Sequence, residues 1–421
     1  MRRAGITGAG AVSGFGRGLG ALFAGLAEGR SAIAPIRSFD ARSFPVRVAS
    51  EVPVGIIDAR WAGGGPVAEE AEQSGLLRDR KVAFALVAAA EAWSIAGCDE
   101  RERRASLSIA LGLEQAFLED FAPLWRGGRV DWRLEPSPPL SSIRFRSPVD
   151  SAAHVVRRAL SLSGPLAIHA SACAAGGLAV AHAASLIERG AAQIVLCGGS
   201  DSMVNPLGIG GLARLGAPSP RNERDACRPF DRRRDGLVVG EGAAFFVIEE
   251  EQSACARGAR ILARVLGWGS TQDAYRATAP RPDGSAARRA MEVALRRARL
   301  SPDEVGYVNA HGTGTPLNDP AEARAIRAVF GARDVPVSSI KGAVGHLMSA
   351  SGAIEVAASL LPFERGLLPG TAHHRERDPE CDVAVIGERP VQARVDVVLS
   401  NSFGFGGQNV SVVLGRREVR P

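Results

Sequence analysis

Short apolar runs alternate with longer alanine-rich stretches along most of this chain, and the alternation predicts strands and helices in turn. Residues 4–12 read as a buried strand leading into a glycine-rich turn, followed by a helix near Leu19–Glu28. Residues 78–97 form a strong helix closed by Gly97, and Ser106–Gly112 an apolar strand. Residues 122–150, rich in proline and arginine, read as an irregular excursion. Ala167–Ala172 is a short strand, Ala174–Arg189 an alanine-rich helix closed by Gly190, and Gln193–Cys197 a further strand. This order predicts an α/β fold with a parallel sheet and helices on its faces.

The second half repeats the pattern. Ala259–Gly267 resembles a first strand, Gly284–Ala298 a helix, Tyr307–Ala310 a strand, Ala350–Arg365 a helix closed by Gly366, and Val395–Leu399 a strand. Ala174, Gly176, Ala181, Glu188, Arg189 and Gly190 recur as Ala350, Gly352, Ala357, Glu364, Arg365 and Gly366, all at one constant offset without a gap. Two fused copies of one α/β unit are expected, residues 1–256 and 257–421, with the seam near 250–259. Such a duplication sets equivalent helix starts side by side across a pseudo-twofold axis, a natural place for a shared active site.

Composition narrows the function. The net charge of +6 is modest for 421 residues. Its short basic runs, Arg101–Arg104 and Arg232–Arg234, read as solvated loops or as a docking patch for an acidic partner. No finger, helix-turn-helix or basic stripe with interleaved aromatics points to nucleic acid. Met1-Arg2-Arg3 precedes an apolar stretch broken by five glycines, a poor signal peptide. No window approaches eighteen consecutive apolar residues, so no membrane span is expected. Six scattered cysteines without a CxxC fit a cytoplasmic protein with free thiols and no zinc site. Only two of the 51 basic residues are lysine, Lys81 and Lys341. Lys81 starts an amphipathic helix and reads as structural. Lys341 draws notice because a compact ammonium there has not been replaced by the larger, forked guanidinium.

Gly10, Gly14 and Gly16 imitate a dinucleotide-binding turn, yet no Tyr-x-x-x-Lys pair and no ribose-binding carboxylate accompany them. They read as a tight turn between strand and helix. Chemistry gathers elsewhere. Cys173, in Ser171-Ala172-Cys173-Ala174-Ala175-Gly176, precedes a helix whose dipole and free N–H groups should lower its pKa. His311 lies just past a strand in Asn309-Ala310-His311-Gly312-Thr313-Gly314-Thr315-Pro316, where open α/β sheets place ligand groups. His346, in Lys341-Gly342-Ala343-Val344-Gly345-His346, precedes the helix that mirrors that of Cys173. Glu355, on that helix, is placed to pair with Lys341, because an unpaired buried charge is costly. Asn401-Ser402-Phe403-Gly404-Phe405-Gly406-Gly407 suggests a hinged flap whose N–H groups can face an oxyanion.

Together these segments resemble the elongating β-ketoacyl-acyl-carrier-protein synthases, the two-histidine class of the thiolase superfamily. The likeness runs from Ile6-Thr7-Gly8 through Arg228-Pro229-Phe230-Asp231 and Arg234-Asp235-Gly236 to the glycine flap. It implies a thiolase-like, five-layer αβαβα sandwich. It also implies a ketosynthase that joins a Cys-bound acyl chain to malonyl-ACP by decarboxylative Claisen condensation, in fatty-acid or polyketide or polyene biosynthesis. Cys173 would be the nucleophile, and His311 and His346 would stabilise the enolate left by CO2. The N–H groups of Cys173 and Phe405 would form the oxyanion hole. Lys341 and Glu355 would orient the site, and Phe405, with Phe403 beside it in the flap, would gate the acyl pocket. The implied partners are an acyl carrier protein in acyl and malonyl forms, and a second subunit in a homodimer or a heterodimer with a ketosynthase-like chain. No bound cofactor or metal is implied.

The sequence departs from that pattern within residues 113–154. Leu113-Glu114-Gln115-Ala116-Phe117 replaces a glycine-rich stretch, and Asp150-Ser151-Ala152-Ala153 stands where an asparagine-led segment is usual. The resemblance places the first stretch at the far end of the acyl pocket, making Gln115 and Phe117 candidates for limiting the chains accepted. Two alternatives stand beside the active synthase. A non-catalytic chain-length partner should lack the nucleophile. A coenzyme A-dependent thiolase needs a second catalytic cysteine, for which Cys381 is a candidate without a glycine-rich context.

Overall fold

The computed structural model describes residues 2–55, 65–98, 104–113, 149–416 and four two-residue strands between 115 and 147. Its core is one large sheet. The strands are β1 (Ala4–Ser13), β2 (Ser106–Leu111), β3 (Leu166–His169), β4 (Ile194–Ser202), β5 (Glu241–Glu250), β6 (Ala263–Gln272), β7 (Tyr307–Asn309), β8 (Pro336–Ser338), β9 (Ala384–Val385), β10 (Val397–Gly404) and β11 (Gln408–Gly415). Their order is β3-β2-β4-β5-β1-β6-β11-β10-β7-β8-β9. From the centre outward, β1, β5 and β4 are antiparallel, while β2 and β3 add parallel. On the other side β6, β11 and β10 are antiparallel, and β7 and β8 add parallel. The antiparallel pair β1 and β6 joins the two sides.

The principal helices are α1 (Gly18–Ala27), α2 (Gly65–Gln73), α3 (Arg80–Ile95), α4 (Ser151–Ala159), α5 (Ala175–Glu188), α6 (Ser285–Ala298), α7 (Asn318–Phe330) and α8 (Ser351–Ala358). Alternate residues of β5 show how they stack. Ala244, Phe246 and Ile248 pack with α5 and α8 on the inner face, and Ala243, Phe245 and Val247 pack with α3 on the outer face. The outer face of the other side is covered by α6 and α7. The result is the thiolase-like αβαβα sandwich.

Several expectations are corrected. The sheet is mixed, not parallel: β1, β4, β5, β6, β10 and β11 pair antiparallel. The first strand of the second half begins at Ala263 and not Ala259, and the helix expected over Ala350–Arg365 breaks before Leu361–Arg365, which has Pro362 in its first turn. Helix α3 is not amphipathic: Lys81 to Ala89 are buried throughout, in one core cluster that α4 shares. Gly10 belongs to β1, not to a turn. A Cβ there would stand 2.2 Å from the carbonyl oxygen of Ala88, so glycine is required for α3 to lie close on the strand.

The two inner helices cross with matched contacts. A Cβ on Gly176 would stand 2.5 Å from the Ala353 nitrogen, and one on Gly352 would stand 2.3 Å from the Gly177 nitrogen. Each glycine lets the other helix's backbone approach at the molecule's centre.

Candidate active site

Helices α5 and α8 open in the same way. Ala172 has a φ of 45° and Met348 has a φ of 45°, and the two are related by the same offset as the sequence repeat. Each begins a 3-10 turn, Ala172–Ala174 or Met348–Ala350, that leads into the helix. A positive φ away from glycine costs about 1–3 kcal/mol, so both turns are held by their surroundings.

Cys173 is the middle residue of the first turn. Gly404, at the end of β10, lies against it: a Cβ there would stand 3.0 Å from the nitrogens of both Cys173 and Ala174. The N–H of Phe405 donates toward the Cys173 thiol. The expectation of a lowered thiol pKa is not met. Burial pushes it up to about 12, with Lys341 and the Phe405 N–H pulling it down and Asp201 and Glu355 adding to the rise. The helix start is real, but the thiol lies in a buried apolar cluster that includes Val46, Val239 and Met348, where a thiolate loses its water.

His311 follows β7 in a loop tied down by two carboxylates of α7. Glu322 accepts from the N–H groups of His311 and Gly312 at 2.8 and 2.7 Å. Asp319 accepts from Thr313 at 3.0 Å, Gly314 at 3.1 Å and Phe230 at 2.7 Å. Sequence reading missed both anchors. Their signal was present as two carboxylates in the first turns of a helix, eight and eleven residues after His311.

The ring tautomers follow from the hydrogen bonds. Lys341 Nζ lies 3.2 Å from His311 Nδ1. An ammonium can only donate, so Nδ1 accepts and the ring proton sits on Nε2. The same ammonium binds the His311 carbonyl oxygen and the Glu355 carboxylate. Lys341 and Glu355 are each about 1% exposed. His346 Nδ1 accepts from the Met348 N–H at 3.2 Å and lies 2.7 Å from Ser351 Oγ, which again leaves the proton on Nε2. Burial, reinforced by Lys341, holds both imidazoles well below their usual pKa, so both are neutral donors. The rings stand 5.4 Å apart at 83°, with Phe403 packed 5.7 Å from His311.

Cys173, His311, His346, Phe403 and Phe405 all line one cavity of about 320 Å³. Lys341 and Glu355 stand behind it. Cys381 is elsewhere, in the outer core beside α7. The run Arg232–Arg234 is not a free basic patch: Arg233 pairs with Asp231, and Arg234 with Asp378. Gln115 falls in a two-residue strand paired with Ser147, and Phe117 lies outside the described residues.

A buried thiol at a helix start, facing two neutral imidazole donors across one chamber, is the arrangement of a thiolase-fold condensing enzyme. Comparison with known proteins narrows the class. Residues 1–254 match the model of the beta-ketoacyl synthase N-terminal domain, and residues 262–375 that of the C-terminal domain. The 3-oxoacyl-[acyl-carrier-protein] synthase 2 of Coxiella burnetii is 36% identical, with 99% of each chain covered. The ketoacyl synthase alpha subunit of the tetracenomycin polyketide synthase of Streptomyces glaucescens is also 36% identical, over 99% of this chain and 97% of its own. The solved ishigamide ketosynthase/chain length factor matches with a TM-score of 0.85 at 33% identity, covering 99% of this chain and 100% of its own. The chain belongs to the beta-ketoacyl synthase family.

Proposed function

We propose that this chain is an active elongating ketosynthase that takes an acyl group from an acyl carrier protein onto Cys173 and extends it with malonyl carrier protein. The observation that carries this reading is the single cavity shared by Cys173 and the two Nε2–H donors. In the loading step the Cys173 sulfur attacks the acyl thioester, and the N–H groups of Cys173 and Phe405 stabilise the tetrahedral oxyanion. The carrier thiol leaves with the proton that Cys173 gave up. In the second step the malonyl carboxylate departs as CO2, and the enolate oxygen left behind accepts from His311 and His346. The enolate carbon then attacks the Cys173 thioester, forming a carbon–carbon bond and breaking the carbon–sulfur bond. The β-ketoacyl product stays on the carrier, and the released thiolate takes up a proton.

Lys341 fixes His311 as an Nε2–H donor, and Glu355 balances the buried ammonium. We read residues 1–256 and 257–421 as the two repeats, with the chamber on their axis. A second subunit, identical or ketosynthase-like, fits the pairing named for the ishigamide structure. Cys173, Cys197, Cys227, Cys255 and Cys381, none of them in a disulfide, fit a cytoplasmic setting. Among the described residues no helix is long and apolar enough to cross a membrane.

The test is intact-mass and CO2-release measurement on three variants. Cys173→Ala should carry no acyl adduct. His311→Ala and His346→Ala should still load Cys173, while CO2 release falls by about 100-fold or more. Acyl loading in the alanine variant of Cys173, or near-normal CO2 release in either histidine variant, refutes the role given to that residue.

A further inference from the structure

Moving on from Cys173 by the offset of the sequence repeat reaches Ser349. It is the middle residue of the second 3-10 turn, 6% exposed, between a positive-φ Met348 and the start of α8. Ser349 thus occupies in the second turn the place that Cys173 occupies in the first. The two differ in what faces their backbone N–H. At Cys173 the neighbour is Gly404, at the end of β10, which has no side chain. At Ser349 it is Asp201, near the end of β4, whose Oδ2 accepts the Ser349 N–H at 2.9 Å. A carboxylate therefore stands where the first turn would hold a substrate oxyanion.

Three observations show that Asp201 is held there at a cost. It is 1% exposed, and its Oδ1 has no hydrogen-bond partner among the described residues. Burial pushes its carboxyl up to about 6 against the pull of Ser349 and Lys81. Gly112 must be glycine to admit it, since a Cβ there would stand 2.1 Å from Oδ1. Orphaned buried polar atoms are rare and call for an explanation.

The Met348–Ala350 turn supplies one. The Met348 N–H fixes Nδ1 of His346, and the next N–H along the chain is the one Asp201 grips. We propose that Asp201 is a positioning residue, an internal anion that fills the anion hole of a silent copy of the nucleophile turn and thereby aims His346 into the chamber. Asp201 touches no substrate. It acts through Ser349 and Met348 on one imidazole, so its removal should impair malonyl decarboxylation and spare acyl loading.

This inference rests on the proposed ketosynthase reading, and the experiment separates the two. Wild-type loading and CO2 release test the reading, while the ratio of variant to wild type tests the inference. Asp201→Gly should load Cys173 no more slowly than wild type, since the Asp201 charge only raises the thiol's pKa, and release CO2 about 10-fold more slowly or worse, the scale expected for a displaced catalytic group. Millimolar formate, a carboxylate small enough for the vacated hole, should restore much of the loss. Wild-type CO2 release in Asp201→Gly overturns the proposal. So does a loss that formate leaves unchanged, or one that acyl loading shares. If Asp201→Gly does not fold, Asp201→Asn carries the test. Its amide oxygen can still accept the Ser349 N–H, so CO2 release should stay within about threefold of wild type with loading unchanged. A tenfold loss in that variant overturns the proposal.

Discussion

The turns at Cys173 and Ser349 are built alike and do different work. Both have a strained first residue, both run into one of the crossed inner helices, and both point an N–H at the end of a neighbouring strand. One strand ends in Gly404, which brings no side chain to that N–H. The other carries Asp201, and the N–H is permanently taken. On the proposed reading, the chemistry depends on what the adjacent strand places against the turn as much as on the turn itself.

The largest effect is expected from making the first turn resemble the second. Gly404 has a φ of −142°, ordinary for any residue, so only the close approach to Cys173 requires glycine there. Gly404→Asp would set a carboxylate at the Cys173 N–H. Acyl loading should fall about 100- to 1,000-fold, the scale on which an oxyanion donor is lost. Gly404→Ala, which adds bulk without charge, should lose much less. Loading rates followed by intact mass decide the matter, and equal losses in the two variants would reduce the effect to crowding.

A smaller effect is expected at Lys341, which holds His311 and Glu355 behind the chamber. Its ammonium meets the His311 carbonyl oxygen, His311 Nδ1 and Glu355 in a site with no exposed surface to spare. A guanidinium keeps the charge but is larger, planar and forked. Lys341→Arg should slow CO2 release about 10- to 100-fold by displacing His311, with acyl loading less affected. Decarboxylation at the wild-type rate would show that any cation suffices.

The residues that line this cavity were easier to read from the sequence than the architecture around them. Cys173, His311, His346 and the flap each sit in a short segment of distinctive residue types, and the constant offset between the halves could be read from six alanine, glycine and Glu-Arg-Gly positions. Strand direction could not be read that way, because β5 and β11 are buried on both faces and lack the alternation that would mark their neighbours. Asp201 was hidden more deeply than the α7 carboxylates, whose place in the first turns of a helix soon after His311 was at least a signal. A lone aspartate in Gly199-Ser200-Asp201-Ser202 looks like any turn residue until the fold brings it to an N–H 148 residues away. The helix start at Cys173 was legible, but the thiol's environment was not. The helix dipole acts through the local chain, whereas the apolar surroundings come from distant segments that carry Val46, Val239 and Met348 in the same buried cluster.

That last difference sets the smallest effect, a pH dependence on which the two arguments disagree. If the helix start governed Cys173, the thiol would already be ionised near neutral pH, and alkylation by iodoacetamide would level off between about pH 7 and 9. With burial governing and the thiol pKa raised to about 12, the thiolate is the minor form throughout that range. Its fraction, and the alkylation rate with it, should climb about tenfold per pH unit without a plateau. Cys255, exposed on the surface, supplies an internal comparison once peptide mass mapping separates the two adducts. The His346→Ala variant sharpens the test, since removing a neutral ring should leave the slope unchanged. A plateau at Cys173 below about pH 9 would mean that the N–H groups of the first turn, with Lys341 and Phe405, outweigh the apolar wall, and the resting nucleophile would then be a thiolate.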